Sequence, residues 1–279
     1  MTVDTTWFRC PNCLLPLAAV ADSVYGCANG HRFDRSKHGY LTLLPPRAPK
    51  TIGDDRRMLE ARANLLASGV YSPVAEAVSA AARATVTGPG TSIVDLGCGT
   101  GYYSAVVARD TGAGRVLVAD RSPDAVRWSR LHHRETTGND VTGVVLDLWR
   151  PLPIADATAD IVLDVFAPRN PAEYARILSP VGTLIVVVPT PRHLAELRST
   201  GSLLEIPDGK DTLVTEQFTA AGLRLSARRS VEYAFPASAD QLADLVAMGP
   251  SAHHAAAPAT LETRDVTAAV DVLAFAHPQ

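Results

Sequence analysis

Cys10, Cys13, Cys27 and His31 carry the first chemistry legible in this chain. They read Cys-Pro-Asn-Cys and then, after a gap, Cys-Ala-Asn-Gly-His. Two Cys three positions apart close on one ion from a tight turn, and a second pair from a neighbouring turn completes a tetrahedron. Zinc takes three thiolates and one imidazole in closed structural sites. The rival reading, three buried thiols and an unrelated His, does not account for the ligand spacing. Cys98 stands apart from the set.

Val94-Asp95-Leu96-Gly97-Cys98-Gly99-Thr100-Gly101 is the second constellation. Glycines at 97, 99 and 101 let the backbone turn tightly and come close to a ligand. The turn follows a strand-like run and opens a helix-like one. An acid, Asp120, ends the next strand, where a carboxylate can accept from both hydroxyls of a ribose. A dinucleotide turn would read Gly-x-Gly-x-x-Gly. The Gly-x-Gly-x-Gly present, with Asp95 two positions ahead, resembles motif I of class I S-adenosylmethionine (SAM) methyltransferases. That resemblance gives Asp95 the amino-acid end of the cofactor, Asp147 the adenine amine and Leu148 the ring face. A plain turn acid is the other reading of Asp147. Cys98 reads as a small packing residue of the turn.

Class I enzymes acting on base nitrogens place a substrate-facing loop after the fourth strand. Here it is Val165-Phe166-Ala167-Pro168-Arg169-Asn170-Pro171. Proline rings on both sides hold Arg169 and Asn170. Phe166 can stack on a base, Asn170 can bond a base edge, and Arg169 suits a phosphate or a deprotonated base. Asn170-Pro171 also reads as a plain helix start with Asn as its cap. His193 follows the fifth strand near the same crevice and is counted with the cofactor-facing residues; as a plain reading it starts a helix. His132-His133 reads as a solvated helix C-terminus, where a cation suits the dipole. His253 and His254 lack partners at metal-ligand spacing.

The elements that must hold these residues follow from periodicity. Residues 1–44 read as a small unit, too short to bury enough surface without its metal. Residues 45–90 read as a Pro-rich linker at 44–49 followed by two helices, one through Met58, Ala61, Arg62, Leu65 and Leu66 and closed by Gly69, the other over 74–86. Residues 91–279 alternate: strands at 92–96, 115–119, 141–146, 159–165 and 182–188, helices at 102–109, 123–132 and 172–178. Such alternation gives an α/β, Rossmann-like, mostly parallel, doubly wound sheet. Runs 223–235 and 267–275 read as a terminal antiparallel pair around a helix at 239–248, and 253–260 as a loop.

The bulk numbers fit this plan. The 279 residues suffice for one large α/β domain and an appendage; 47% are hydrophobic and 20% charged. No apolar run approaches the ~18 residues of a membrane span. Metal-spaced cysteines without a secretory pattern point to a reducing cytoplasm. A net charge of −3 argues against indiscriminate coating of nucleic acid. Within residues 1–50, however, Arg9, Arg32, Arg35, Lys37, Arg47 and Lys50 outnumber Asp4, Asp22 and Asp34, and Phe33, His38 and Tyr40 interleave with them. Such a patch suits RNA, although a solvated charged face has the same composition.

Taken together, the motifs resemble the RlmA-type 23S rRNA (guanine-N1)-methyltransferases over nearly the whole chain. The resemblance runs through the Cys/His knuckle, Phe33-Asp34, Gly39-Tyr40-Leu41, the helix ending at Gly69, Tyr71 and Pro73. It continues through Asp95 to Tyr103 (with Tyr102 at the cofactor), Phe166 to Pro171, His193 to Leu197 and Met248-Gly249-Pro250-Ser251. The Ala-Pro-Arg-Asn loop and Met-Gly-Pro-Ser resemble the tylosin-resistance branch. The family implies SAM-dependent methylation of N1 of a guanine in hairpin 35 of 23S rRNA, an RNA-gripping zinc module and a homodimer. Within it, Phe166 and Asn170 would orient the flipped guanine and Arg169 would stabilise its oxyanion or a phosphate. The tail His253-His254-Ala255-Ala256-Ala257 departs from relatives, which carry a Trp after Pro-Ser. Two other classes stay open on sequence: a small-molecule SAM methyltransferase of a biosynthetic pathway, and a non-catalytic zinc-bearing binding protein.

Overall fold

The computed structural model describes residues 3–45, 53–85, 87–199, 203–249 and 262–278. The Pro-rich stretch at 46–49, Ser251 and the 253–260 run lie outside these residues. Strands β1 (Ala18–Ala21), β2 (Val24–Gly26) and β3 (Arg32–Asp34) form an antiparallel meander. β4 (Leu41–Thr42) leaves that meander and pairs in parallel with the larger sheet.

α1 (Arg56–Ala67) starts where the Asp55 carboxylate accepts from the Met58 N–H, and α2 (Ser72–Arg83) follows with Pro73 in its first turn. Then come β5 (Ser92–Leu96), α3 (Tyr102–Thr111), β6 (Arg115–Asp120), α4 (Pro123–Thr137), β7 (Thr142–Val145), β8 (Ala159–Val165), α5 (Pro171–Ile177) and β9 (Leu178–Pro189). A four-residue helix, α6 (Ala195–Arg198), and α7 (Lys210–Ala220) lead to β10 (Arg224–Ala237), α8 (Ala239–Ala247) and β11 (Arg264–Ala276).

The sheet runs β10-β11-β9-β8-β5-β6-β7-β4. It is parallel from β9 to β4, while β11 lies antiparallel between β9 and β10. The expected doubly wound, mostly parallel sheet and its terminal antiparallel pair are present. β9 starts at Leu178, four residues before the sequence pattern suggests, because Gly182 lets the strand pass the Ala159 and Asp160 carbonyls, 2.9 Å from where a Cβ would stand.

Strand residues alternate between two cores, as a pleat requires. Val94 and Leu96 join one face, Ile93 the other. The first core also takes Trp7, Phe8, Leu41 and Leu43, so the metal-bearing segment and the sheet share one interior. The Ala155 N–H donates to the Trp7 carbonyl at 2.8 Å, the Arg9 N–H to the Pro153 carbonyl at 3.0 Å, and the Arg115 guanidinium lies 4.4 Å over the Trp7 ring. The chain order reverses at β5, flanked by β6 and β8, which opens a crevice at their carboxyl ends. No single described helix is long and apolar enough to cross a membrane; α1 and α2 pass that test only as a bent pair, and their larger apolar residues, among them Met58, Leu59, Leu65, Leu66, Val74 and Val78, are buried in the protein.

Candidate active site and metal centre

The four metal-spaced residues meet. The three Sγ atoms and His31 Nδ1 lie within 4.8 Å of one another. Nδ1 is 3.5 Å from Cys10 Sγ, 3.6 Å from Cys13 Sγ and 3.4 Å from Cys27 Sγ, and the Cys13 and Cys27 sulfurs are 3.6 Å apart. Ligands about 2.0–2.3 Å from a tetrahedral zinc stand about 3.5–3.8 Å from each other. The donor set therefore fits zinc by distance as well as by chemistry. Arg32 braces the second turn by donating to the Cys27 and His31 carbonyls, and Arg9 pairs with Asp156. Part of the basic excess read from the sequence thus holds the ribbon in place.

At the carboxyl ends of β5, β6 and β8 lies a cavity of about 760 Å³, within the ~300–1,000 Å³ usual for ligand sites. The glycine turn forms its floor. Gly97 (φ +77°), Gly99 (φ +50°) and Gly101 (φ +78°) are left-handed. A Cβ at Gly97 would stand 2.5 Å from Ala167 Cβ, and one at Gly101 2.3 Å from Ser129 Oγ, so both positions demand glycine twice over. Arg62 crosses above Gly99, pairs with Asp54 and donates to the Met248 carbonyl at 2.9 Å. Through it α1 and the end of α8 roof the turn.

The carboxylates of this cavity are poised for a cation. Burial pushes Asp95 up to about 7, a Ser104 hydrogen bond opposes the rise, and neighbouring Asp120 adds to it. Burial also raises Asp120, whose oxygens accept from the Ser122 N–H at 2.8 Å and the Gly99 N–H at 3.0 Å. Desolvated acids facing one another are relieved by a positive ligand and penalised by a negative one. A sulfonium and an ammonium satisfy them; a pyrophosphate does not. The cavity accordingly fits SAM, which adds an electrophilic methyl to whatever nucleophile shares the site.

Families and relatives agree with this geometry. The zinc-ribbon family described as RlmA, N-terminal, matches residues 8–50, and a methyltransferase domain family matches residues 93–182. A 23S rRNA (guanine(748)-N(1))-methyltransferase of Streptomyces fradiae is 40% identical over 255 residues, spanning 89% of this chain and 86% of its own. The chain belongs to the 23S rRNA (guanine-N1)-methyltransferase family. A Micromonospora griseorubida relative assigned the same type of reaction is 36% identical, over 92% of this chain and 90% of its own. Among solved structures, a Bacillus halodurans methyltransferase superposes with a TM-score of 0.51 at 16% identity, covering 72% of this chain and 99% of its own. That similarity shows the class I methyltransferase fold alone.

Within this family member, the cavity is lined by Asp95, Gly97, Gly99 and Tyr102 from the turn and α3, and by Asp120, Asp147 and Leu148 from the ends of β6 and β7. Phe166, Arg169 and His193 line it as well. Gly101 and Asn170 are not lining residues. Gly101 instead abuts α4. Asn170 heads α5 without a side-chain cap; its Nδ2 donates to the Leu148 carbonyl at 3.0 Å and the Arg150 carbonyl at 3.1 Å. Asp147 is engaged by Arg121 at 2.6 Å and accepts from the Trp149 N–H at 3.1 Å.

Phe166, left-handed at φ +56°, stacks on His193 with centroids 5.9 Å apart, and Tyr71 meets the same imidazole edge-on at 6.2 Å. His193 Nδ1 accepts from the Ala269 N–H, which assigns the proton to Nε2, facing Tyr71 Oη at 3.4 Å. Burial pushes this imidazole down to about 4, with Arg198 and Lys210 adding to the shift. It is a neutral wall of the site. Arg169 Nε lies 3.4 Å from Asp164, a fully buried acid whose own carboxyl burial raises to about 7.

Sequence reasoning missed Trp149, Lys210 and Tyr103 as lining residues, and Ser104 with His133 behind them. His133 corrects an expectation. It is fully buried, not solvated, with Nε2 3.0 Å from Ser104 Oγ, because α4 continues to Thr137 and turns this position onto α3. Burial, with His132 beside it, pushes its imidazole down to about 4.

Proposed function

We propose that this chain uses SAM to methylate N1 of a guanine in hairpin 35 of 23S rRNA, the one corresponding to the 748 target of its Streptomyces fradiae relative. One observation carries the reading: a ribbon with zinc-ligand distances is built onto the same core as a cavity whose acids await a cation. A small-molecule enzyme needs the cavity but gives the ribbon no role beyond supporting the shared core. The family resemblance extends the reading to a homodimer working in the cytoplasm and to tolerance of tylosin-type macrolides.

Residue roles follow from position. Asp95 would take the amino-acid end of the cofactor, Asp120 its ribose hydroxyls, and Asp147 with Leu148 its adenine. The guanine must leave its stack to reach the cavity. Phe166, backed by His193, would hold the flipped base face-on. Guanine N1 is poorly nucleophilic until its proton leaves. Arg169 and Lys210, on the same side of the cavity, would favour the deprotonated base, while water takes the proton. Aligning N1 with the methyl at about 3–3.5 Å is the remaining task of the walls.

The test is nucleoside analysis of unmodified 23S rRNA incubated with the protein and methyl-labelled SAM. The label is expected in 1-methylguanosine. Label in another nucleoside, or none in RNA despite measured SAM binding, would overturn the reading.

A further inference from the structure

Trp149 is 71% exposed although it lines the cavity, next to Leu148, which is 5% exposed. Leu148 therefore faces the enclosed cofactor side, and the indole stands at the mouth. The indole's backbone is fixed. The Trp149 backbone N–H donates to the Asp147 carboxylate, and the carbonyls on either side of it, those of Leu148 and Arg150, both accept from the single Asn170 amide. Arg150, half exposed, flanks it and lies 3.6 Å from Asp147. A rigidly mounted, solvent-facing aromatic beside a cation is what a single-stranded nucleobase stacks on.

We propose that Trp149 is the stacking platform for an RNA base next to the flipped guanine, and that Asn170 is the residue that positions it. The inference rests on the RNA reading above and deepens it. The two loops that flank the cavity then act as one unit: the loop after β8 carries Phe166 for the target base, and through Asn170 it also sets the indole on the loop after β7. Stacking on the adenine of the cofactor is the competing use of the same ring.

The experiment uses the zinc-loaded full chain and a hairpin 35 transcript, with S-adenosylhomocysteine present to prevent turnover. RNA affinity and tryptophan fluorescence are measured in that mixture, and SAM affinity separately by calorimetry without S-adenosylhomocysteine or RNA, for wild type, W149F, W149A and N170A. W149A is expected to weaken RNA binding about tenfold or more and W149F to retain most of it, with SAM affinity within about twofold. RNA should quench wild-type fluorescence, and W149F should lose that quench. N170A should weaken RNA binding in the same direction, and the W149A/N170A double variant should add little to W149A. Additive losses would overturn the positioning role of Asn170. Unchanged RNA affinity in W149A would overturn the platform, while wild-type methylation of RNA would leave the functional reading standing. A loss of SAM affinity instead would assign the ring to adenine. A wild-type protein that neither binds nor methylates RNA would overturn both.

Discussion

Asp95 shows how a single side chain ties cofactor choice to pH. Folding favours its neutral form, because burial raises its carboxyl from 3.8 to about 7. Its contribution to stability is therefore fully present below about pH 4 and lost as the pH rises through 7. A cationic ligand reverses the preference, since it binds the carboxylate and expels the proton. SAM affinity measured by calorimetry should rise between pH 5.5 and 7, by up to about tenfold per pH unit, with release of a proton. Asp95→Asn should bind more weakly and lose that slope. A flat profile in the wild type would mean that Asp95 does not face the cation. At this scale the sequence was legible where neighbours in the chain share a task, as in Cys10-Cys13 or Gly97 to Gly101. It was not legible where a bond joins distant elements. Asn170 was read as reaching for substrate, yet its amide meets carbonyls about twenty residues away, and nothing in local spacing announces that.

Elements meet with little tolerance at the glycine turn. A Cβ at Gly97 would stand inside the contact distance of Ala167, on the loop after β8, and at a backbone angle that L side chains avoid. Gly97→Ala should therefore displace both the cofactor floor and the loop carrying Phe166. We expect SAM affinity to fall at least about tenfold and stability by about 1–2 kcal/mol, read by calorimetry and thermal unfolding. Wild-type affinity in this variant would remove the turn from the site. The βα alternation was readable because each buried strand is an apolar run and each helix has its stripe. The short ribbon strands β1 to β3 escaped, and so did two elements of the larger layer. β4 is two residues long, below any periodic signal. In α7 only Val214 and Phe218 are buried, which leaves no stripe to detect, and so Lys210 at its start was overlooked.

At the scale of the whole molecule, the ribbon and the methyltransferase sheet are one folded body. Trp7, Phe8 and Leu41 sit in the same interior as Tyr174 and Phe275, and β4 is a strand of the main sheet. The sequence division at residue 44 was drawn where the composition changes; the packing of side chains from 3 to 43 against β5 to β9 lies beyond what composition can report. One consequence concerns metal removal. Zinc binding to small modules is worth about 10–16 kcal/mol. If a third of that, about 3–5 kcal/mol, reaches the shared core, stripping the metal lowers Tm by about 7–20 °C, at about 2–4 °C per kcal/mol. Thermal unfolding with and without a strong chelator measures it, and an unchanged Tm would show that the four ligands hold no structural metal. The central claim, though, is where the methyl group goes. N1 methylation blocks Watson–Crick pairing, so reverse transcription halts at the modified base. After incubation of unmodified 23S rRNA with protein and SAM, a SAM-dependent stop within hairpin 35, at the guanine corresponding to 748, is the expected result. A stop elsewhere in the rRNA, or none, would contradict the account.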